Sequence, residues 1–179
     1  MQNSMSFYFD TYGGWKEVYR SKYSRFACLI TIICVPYWLN QQWWEDVISI
    51  IPNLLGFTLG GYAMLMAFGE PKFLETLAEK VENDEHSPLI KVNSTFVHFI
   101  VLQVLALLTA FICKSYYFIP TGKIAELILE YNLLFLIGTC FIYFLGFYIF
   151  MYSLFSTLAA TFAILRLMKV YDVFLRTKK

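Results

Sequence analysis

Long uncharged stretches separated by short polar ones dominate the pattern along this chain. Val47–Gly69 carries no charge and exceeds the ~20 residues that a helix needs to cross hydrocarbon. Phe26–Trp44 and Thr95–Cys113, at 19 residues each, and the longer Tyr131–Leu165 are uncharged too. The pattern therefore predicts an all-α integral membrane protein with four transmembrane helices. The predicted parts are an interfacial amphipathic N-terminus at 1–25, a transmembrane hairpin at 26–69 and a polar amphipathic segment at 70–94. A second hairpin at 95–165 and a basic tail at 166–179 complete it.

Within 1–25, Trp15, Val18, Tyr19, Tyr23 and Phe26 recur at helical spacing, with Lys16, Arg20 and Lys22 off that stripe. Such a helix lies in the headgroup plane. Nothing at the N-terminus resembles a cleavable leader, so span 1 is expected to act as its own insertion signal. Pro36 predicts a kink in span 1, and the Trp43-Trp44 pair an interfacial belt. Glu45 and Asp46 are expected to close a tight turn into span 2.

Span 2 holds the least ordinary pattern. Pro52 removes a backbone donor, and Gly56 and Gly60 form a GxxxG stripe continued by Ala63 and Ala67. Ile51, Pro52, Gly56, Phe57, Gly60 and Gly61 are the candidate lining of a path through the membrane. Pro71, Phe73, Leu74, Leu77, Ala78 and Val81 predict an amphipathic helix, and Ser87-Pro88 a turn out of it. Glu82, Asp84, Glu85 and His86 are read as a solvated helix end.

The polar residues at depth are His98, Gln103, Ser153, Ser156 and Thr157. Intramembrane polar groups are functional candidates by default. His98 is one turn from the boundary and is expected to reach the interface or a backbone carbonyl. Gln103, which shares a small-residue face with Ala106 and Ala110, is expected to bond across helices. Lys123, Glu126 and Glu130 predict a short helix running into span 4. Span 4 is longer than one crossing needs and is expected to project into the cytoplasm. There Met151, Leu154, Leu158, Leu165 and Met168, near heptad spacing, favour a homo-oligomer.

Composition agrees with this picture: 59% of residues are apolar and 15% charged, against about 45–50% and about 25% in soluble domains. A net charge of +1 gives no field for nucleic acid. All Lys and Arg except Lys114 and Lys123 fall on one side of a four-span fold, which places both termini in the cytoplasm of a multi-pass cell-membrane protein. On that side the acceptor Asn93-Ser94-Thr95 would be silent. Cys28, Cys34, Cys113 and Cys140 lack metal or disulfide spacing. No hydrolase, phosphate-loop or dinucleotide motif is present, so neither catalytic residues, nor a metal, nor a cofactor is expected. The expected partners are the bilayer, further copies of the chain and a cytoplasmic protein.

Ile51-Pro52 followed by Leu55-Gly56-Phe57, with Trp15-Lys16 ahead of a basic-aromatic run, resembles bestrophin-type anion channels. In that family a proline-containing second helix carries apolar gating side chains. The resemblance covers spans 1 and 2, with no counterpart here to the family's cytoplasmic domain. It implies an ion path beside span 2. In size and layout the chain is also similar to small multi-span proteins that accompany bacterial antiviral systems and make membranes leaky. The expected function is an oligomeric pore or permeabilising effector, with a non-conducting anchor for a cytoplasmic partner as the alternative.

Overall fold

The computed structural model describes residues 3–68, 70–80 and 84–177 and is all-helical among them. The elements are α1 (Ser4–Tyr12), α2 (Gly14–Arg20), α3 (Lys22–Ile33), α4 (Val35–Asn40), α5 (Trp43–Phe68), α6 (Pro71–Ala78), α7 (Pro88–Ser115), α8 (Lys123–Glu130) and α9 (Asn132–Thr177). Gly69, Val81, Glu82, Lys178 and Lys179, used above, lie outside the described residues.

Three of these helices are long and apolar enough to cross a membrane: α5 over Trp43–Met64, α7 and α9. The stretch expected as span 1 is instead two shorter helices. Cys34, at φ −85° and ψ 14°, separates α3 from α4, and Pro36 sits in the first turn of α4. The break follows from proline, which cannot donate back to the carbonyl four residues earlier. Thr31 and Trp38 brace it. The Thr31 hydroxyl donates to the Ala27 carbonyl at 2.8 Å, and the Trp38 indole donates to the Thr31 carbonyl at 2.8 Å.

Two boundaries also move. Glu45 and Asp46 form the first turn of α5 and not the turn before it. Acidic side chains favour that position because the helix N-terminus is the positive end of its dipole. Likewise α7 starts at Pro88, seven residues ahead of the expected span, with the Ser87 hydroxyl accepting from the Ile90 amide at 3.4 Å. Serine as N-cap and proline as first residue are the preferred start of a helix.

α9 organises the bundle. It packs against α3, α4, α5 and α7, and α5 packs against α7. Its 46 residues span about 69 Å at 1.5 Å per residue, against ~30 Å of hydrocarbon. The largest buried cluster joins Trp38, Trp43, Trp44, Val47 and Ile51 to Ala106, Ala110, Phe147 and Phe150. Trp43 and Trp44 both meet Tyr143 edge-on, and Trp44 also meets Tyr117. These rings form a belt at one end of the bundle, where Lys114 and Glu45 pair at 2.9 Å.

Part of the length of α9 lies beyond that belt. Tyr143 is level with it, so Asn132–Ile142 extends past it by roughly 16 Å. Leu133, Leu134, Phe135, Leu136 and Ile137 are exposed around the helix there. α8 does not run on into α9: Tyr131, at φ −109° and ψ 32°, breaks the two apart. At the opposite end α6 lies across α9, with Phe73 and Leu77 packed on Leu167, Tyr171 and Phe174. The N-terminal α1 lies against α7 at this end, with Phe7 edge-on to His86.

Candidate functional site

Two features collect the polar and small residues of the spans: an interior seam, and the outward face of α5. The seam begins at Gln103, fully buried in the middle of α7. Its Nε2 donates to the Thr58 hydroxyl of α5 at 3.1 Å and to the Thr157 hydroxyl of α9 at 3.3 Å. One amide thus ties three helices. Its Oε1 finds no partner. Helices in lipid gain little from burying apolar surface against each other, so such bonds and close packing fix their positions.

The hydroxyls around the seam are spent on their own helices. Thr58 donates to the Leu54 carbonyl at 2.8 Å, Ser153 to Phe150 at 2.8 Å, and Ser156 and Thr157 to Ser153 at 2.6 and 3.2 Å. Ser153 and Ser156 are buried. Small hydroxyl side chains satisfied in this way let α9 approach its neighbours closely. Within one chain the seam is closed around Gln103 and Ser153, both wholly buried.

His98 belongs to a second polar group, near the α1 end. It is buried and reaches the Tyr152 hydroxyl of α9 at 3.2 Å. Tyr12 stacks on its ring with centroids 3.8 Å apart. Nearby, the hydroxyls of Ser24 and Tyr148 lie 2.8 Å apart, joining α3 to α9. His98 therefore bonds a side chain of α9 and not a backbone carbonyl. The sequence reading missed α1, whose Tyr12 covers the imidazole; the aromatic residues at 7, 8, 9 and 12 were the available signal.

The candidate path residues divide between the two sides of α5. Ile51 is fully buried and points into the core with Val47. Pro52, Gly56, Phe57 and Gly60 face outward, and Gly61 is partly covered. A side chain at Gly56 or Gly60 would meet nothing within 4 Å, so the GxxxG stripe is unused inside the chain. At helical spacing the same face carries exposed Ser49, Asn53, Ala63 and Ala67. Asn53 and Ser49 turn back on their own helix, the amide donating to the Ser49 carbonyl at 3.1 Å and the hydroxyl to the Asp46 carbonyl at 3.0 Å. These contacts bracket Pro52, whose ring nitrogen leaves the Ile48 carbonyl without its usual donor.

The remaining polar positions form no shared site. Asp84 pairs with Lys91 at 2.8 Å. Asn93 of the glycosylation-type triplet lies within α7 and accepts from the Tyr62 hydroxyl at 3.3 Å. Among the described residues no group of His, Cys, Asp and Glu is arranged to hold a metal. No protein family, curated protein or solved structure matches this chain.

Proposed function

We propose that this chain is the subunit of an oligomeric membrane pore, with the outward face of α5 lining the path between copies. One observation carries the reading. A stripe of the exposed face of α5 is small and polar, with Ser49, Asn53, Gly56, Gly60 and Ala63 in line between exposed Ile50, Phe57, Leu59 and Met64, although α5 is long and apolar enough to span. The exposed face of α7 instead carries Val104, Leu105, Leu108, Phe111 and Ile112, as lipid contact requires. An asparagine and an unfilled GxxxG stripe are costly against hydrocarbon and are stabilised by water or a neighbouring helix. Exposed Phe57 and Leu59 flank the stripe and supply the apolar ring that a passive pore uses as a gate.

In this reading α3 and α4 cross together as a broken first span, making four, with both termini cytoplasmic as the Lys and Arg distribution favours. Cysteines placed at Glu85 and Thr121 should then label from opposite sides of the membrane. Labelling from one side removes the topology.

Purified protein in liposomes should pass ions. Asn53→Leu and Gly60→Leu should each reduce flux several-fold, and a cysteine at Asn53 should react with a water-borne charged thiol reagent. An intact oligomer that conducts nothing, or flux indifferent to both substitutions, overturns the proposal.

The alternative is a non-conducting anchor that docks a cytoplasmic protein through residues 70–94 and 166–179. Its support is the end of α9, where Val170 and Val173 are exposed on the side away from the α6 contacts at Tyr171 and Phe174. Partner capture that disappears with Val170→Asp and Val173→Asp, without any flux, would favour it.

A further inference from the structure

A cavity of about 460 Å³ lies between α5, α6, α7 and α9, at the end of the bundle away from the aromatic belt. Its walls include Gly60 and Met64 of α5, Leu77 of α6, Val92 of α7, and Leu167 and Met168 of α9. Every wall residue is apolar apart from the ring and hydroxyl of Tyr171. From these walls we infer that the cavity is a binding site for one acyl chain of a bilayer phospholipid.

Four features converge on that occupant. First, water is a poor one, since a buried water needs two to four polar partners and the walls supply at most one hydroxyl. Second, the volume falls within the ~300–1,000 Å³ of ordinary ligand pockets, too large to be a packing defect. Third, the cavity opens beside Phe57 and Met64, which are 67% and 63% exposed on a helix able to span a membrane. Before copies assemble around a path the opening therefore faces the bilayer, and glycine at 60 keeps it free of a side chain. Nothing lies within 4 Å of where a Cβ at Gly60 would be.

The fourth feature is charge. Lys72 adjoins the wall residue Phe73, and Arg166 and Lys169 flank Leu167 and Met168 in sequence. All three cations are exposed, and none forms an ion pair with another described residue. Cations thus adjoin the wall residues in sequence on both α6 and α9, with Lys72 sharing its groove with Glu75 and Glu79. A phospholipid matches both parts, with its chain in the cavity and its phosphate at the level of the cations. α6 is the roof: it is amphipathic, starts at Pro71, and holds Phe73 and Leu77 inward over α9.

The test is photo-crosslinking in liposomes, with a phospholipid carrying a diazirine on one acyl chain and mass-spectrometric mapping of the adducts. Adducts should concentrate on Met64, Leu77 and Met168, several-fold above Leu134 and Phe141 on the exposed part of α9. Gly60→Trp, which fills the opening, should lower the cavity adducts several-fold and leave those elsewhere unchanged. Met168→Trp, from the opposite wall, should do the same and covers the case in which Gly60→Trp does not fold. An even spread of adducts, or cavity adducts untouched by either filled variant, overturns the inference.

Two further arms separate rival occupants. A free diazirine fatty acid that labels the cavity and resists excess unlabelled phospholipid would make it a fatty-acid site and overturn the phospholipid assignment. Interchain crosslinks through a cysteine at Met64, with cavity adducts missing, would assign the space to a second copy. Neither readout depends on conduction, so the site stands or falls separately from the pore.

Discussion

Trp43 occupies the space that a side chain at position 146 would need: a Cβ on Gly146 would lie 2.6 Å from its indole Cη2. The indole cannot move aside cheaply. It is fully buried, edge-on to Trp44, Tyr143 and Phe147. Gly146→Ala should therefore destabilise the bundle by about 1–3 kcal/mol of overpacking, offset by up to ~1 kcal/mol of helix propensity. Unfolding in detergent micelles, followed by circular dichroism, would measure it. Trp43→Phe in the same chain should recover part of the loss. An unchanged midpoint for Gly146→Ala would show that the contact is not tight.

Gly138 provides the opposite case on the same helix. Nothing lies within 4 Å of a Cβ built there. Gly138→Ala should stabilise α9 by up to ~1 kcal/mol, because alanine loses less backbone freedom in a helix. If both glycine variants moved stability in the same direction, neighbouring atoms would not be what distinguishes them.

Gln103 holds α5, α7 and α9 together while leaving one buried oxygen unpaired. Hydrogen bonds between membrane helices average about 0.6 kcal/mol and reach ~1.7 kcal/mol. Gln103→Leu should consequently cost less than ~1.5 kcal/mol, since it also removes the unpaired oxygen. A double-mutant cycle with Thr58→Val should return a coupling near 0.6 kcal/mol. A coupling of zero would mean that the contact at 3.1 Å contributes no stability.

Docking of α1 should be lost in alkali. Burial is the main cause that pushes the Tyr12 phenol above its usual 10.0; Glu17 and Tyr8 add to the rise, and a hydrogen bond with Tyr152 opposes it. A raised folded-state value contributes stability that is fully present below about pH 10 and is lost as the pH climbs through the folded value. Proteinase K should cut α1 faster above that pH, and Tyr12→Phe should reduce the step while keeping the stack on His98, the remainder coming from Tyr8, whose phenol is also raised by burial. Tyr12→Ala should expose α1 at neutral pH, since aromatic pairing contributes about 0.5–1.5 kcal/mol. Equal digestion of all three forms at every pH would show that Tyr12 does not hold α1.

Hydropathy made the helical class and the apolar spans legible, because lipid forces backbone polar groups to be satisfied within each segment. Pro36 marked the break in the first apolar stretch. The paired roles of Gln103 with Thr58 and Thr157 were half legible: a glutamine on a small-residue face announces a bond across helices but does not name its partner. Which way each face of α5 turns was not legible. Ile51 and Pro52 are adjacent, yet one is buried against Trp43 and Val47 and the other faces outward. That depends on packing against α7 and α9, which no local pattern encodes. The tyrosine over His98 was hidden for the same reason, since 86 residues of chain separate the two partners.

The central position of α9 bears on how the protein is made. α5 and α7 can dock on each other once both have left the ribosome, but α3 has α9 as its main partner. Translation must continue through the last helix before α3 is covered. Until then Ala27 and Thr31, buried in the finished bundle, lie uncovered. Chains cut short before Gly146 should accumulate as half-assembled forms with α3 unclaimed, and membrane quality control should remove them faster than chains with substitutions in α9.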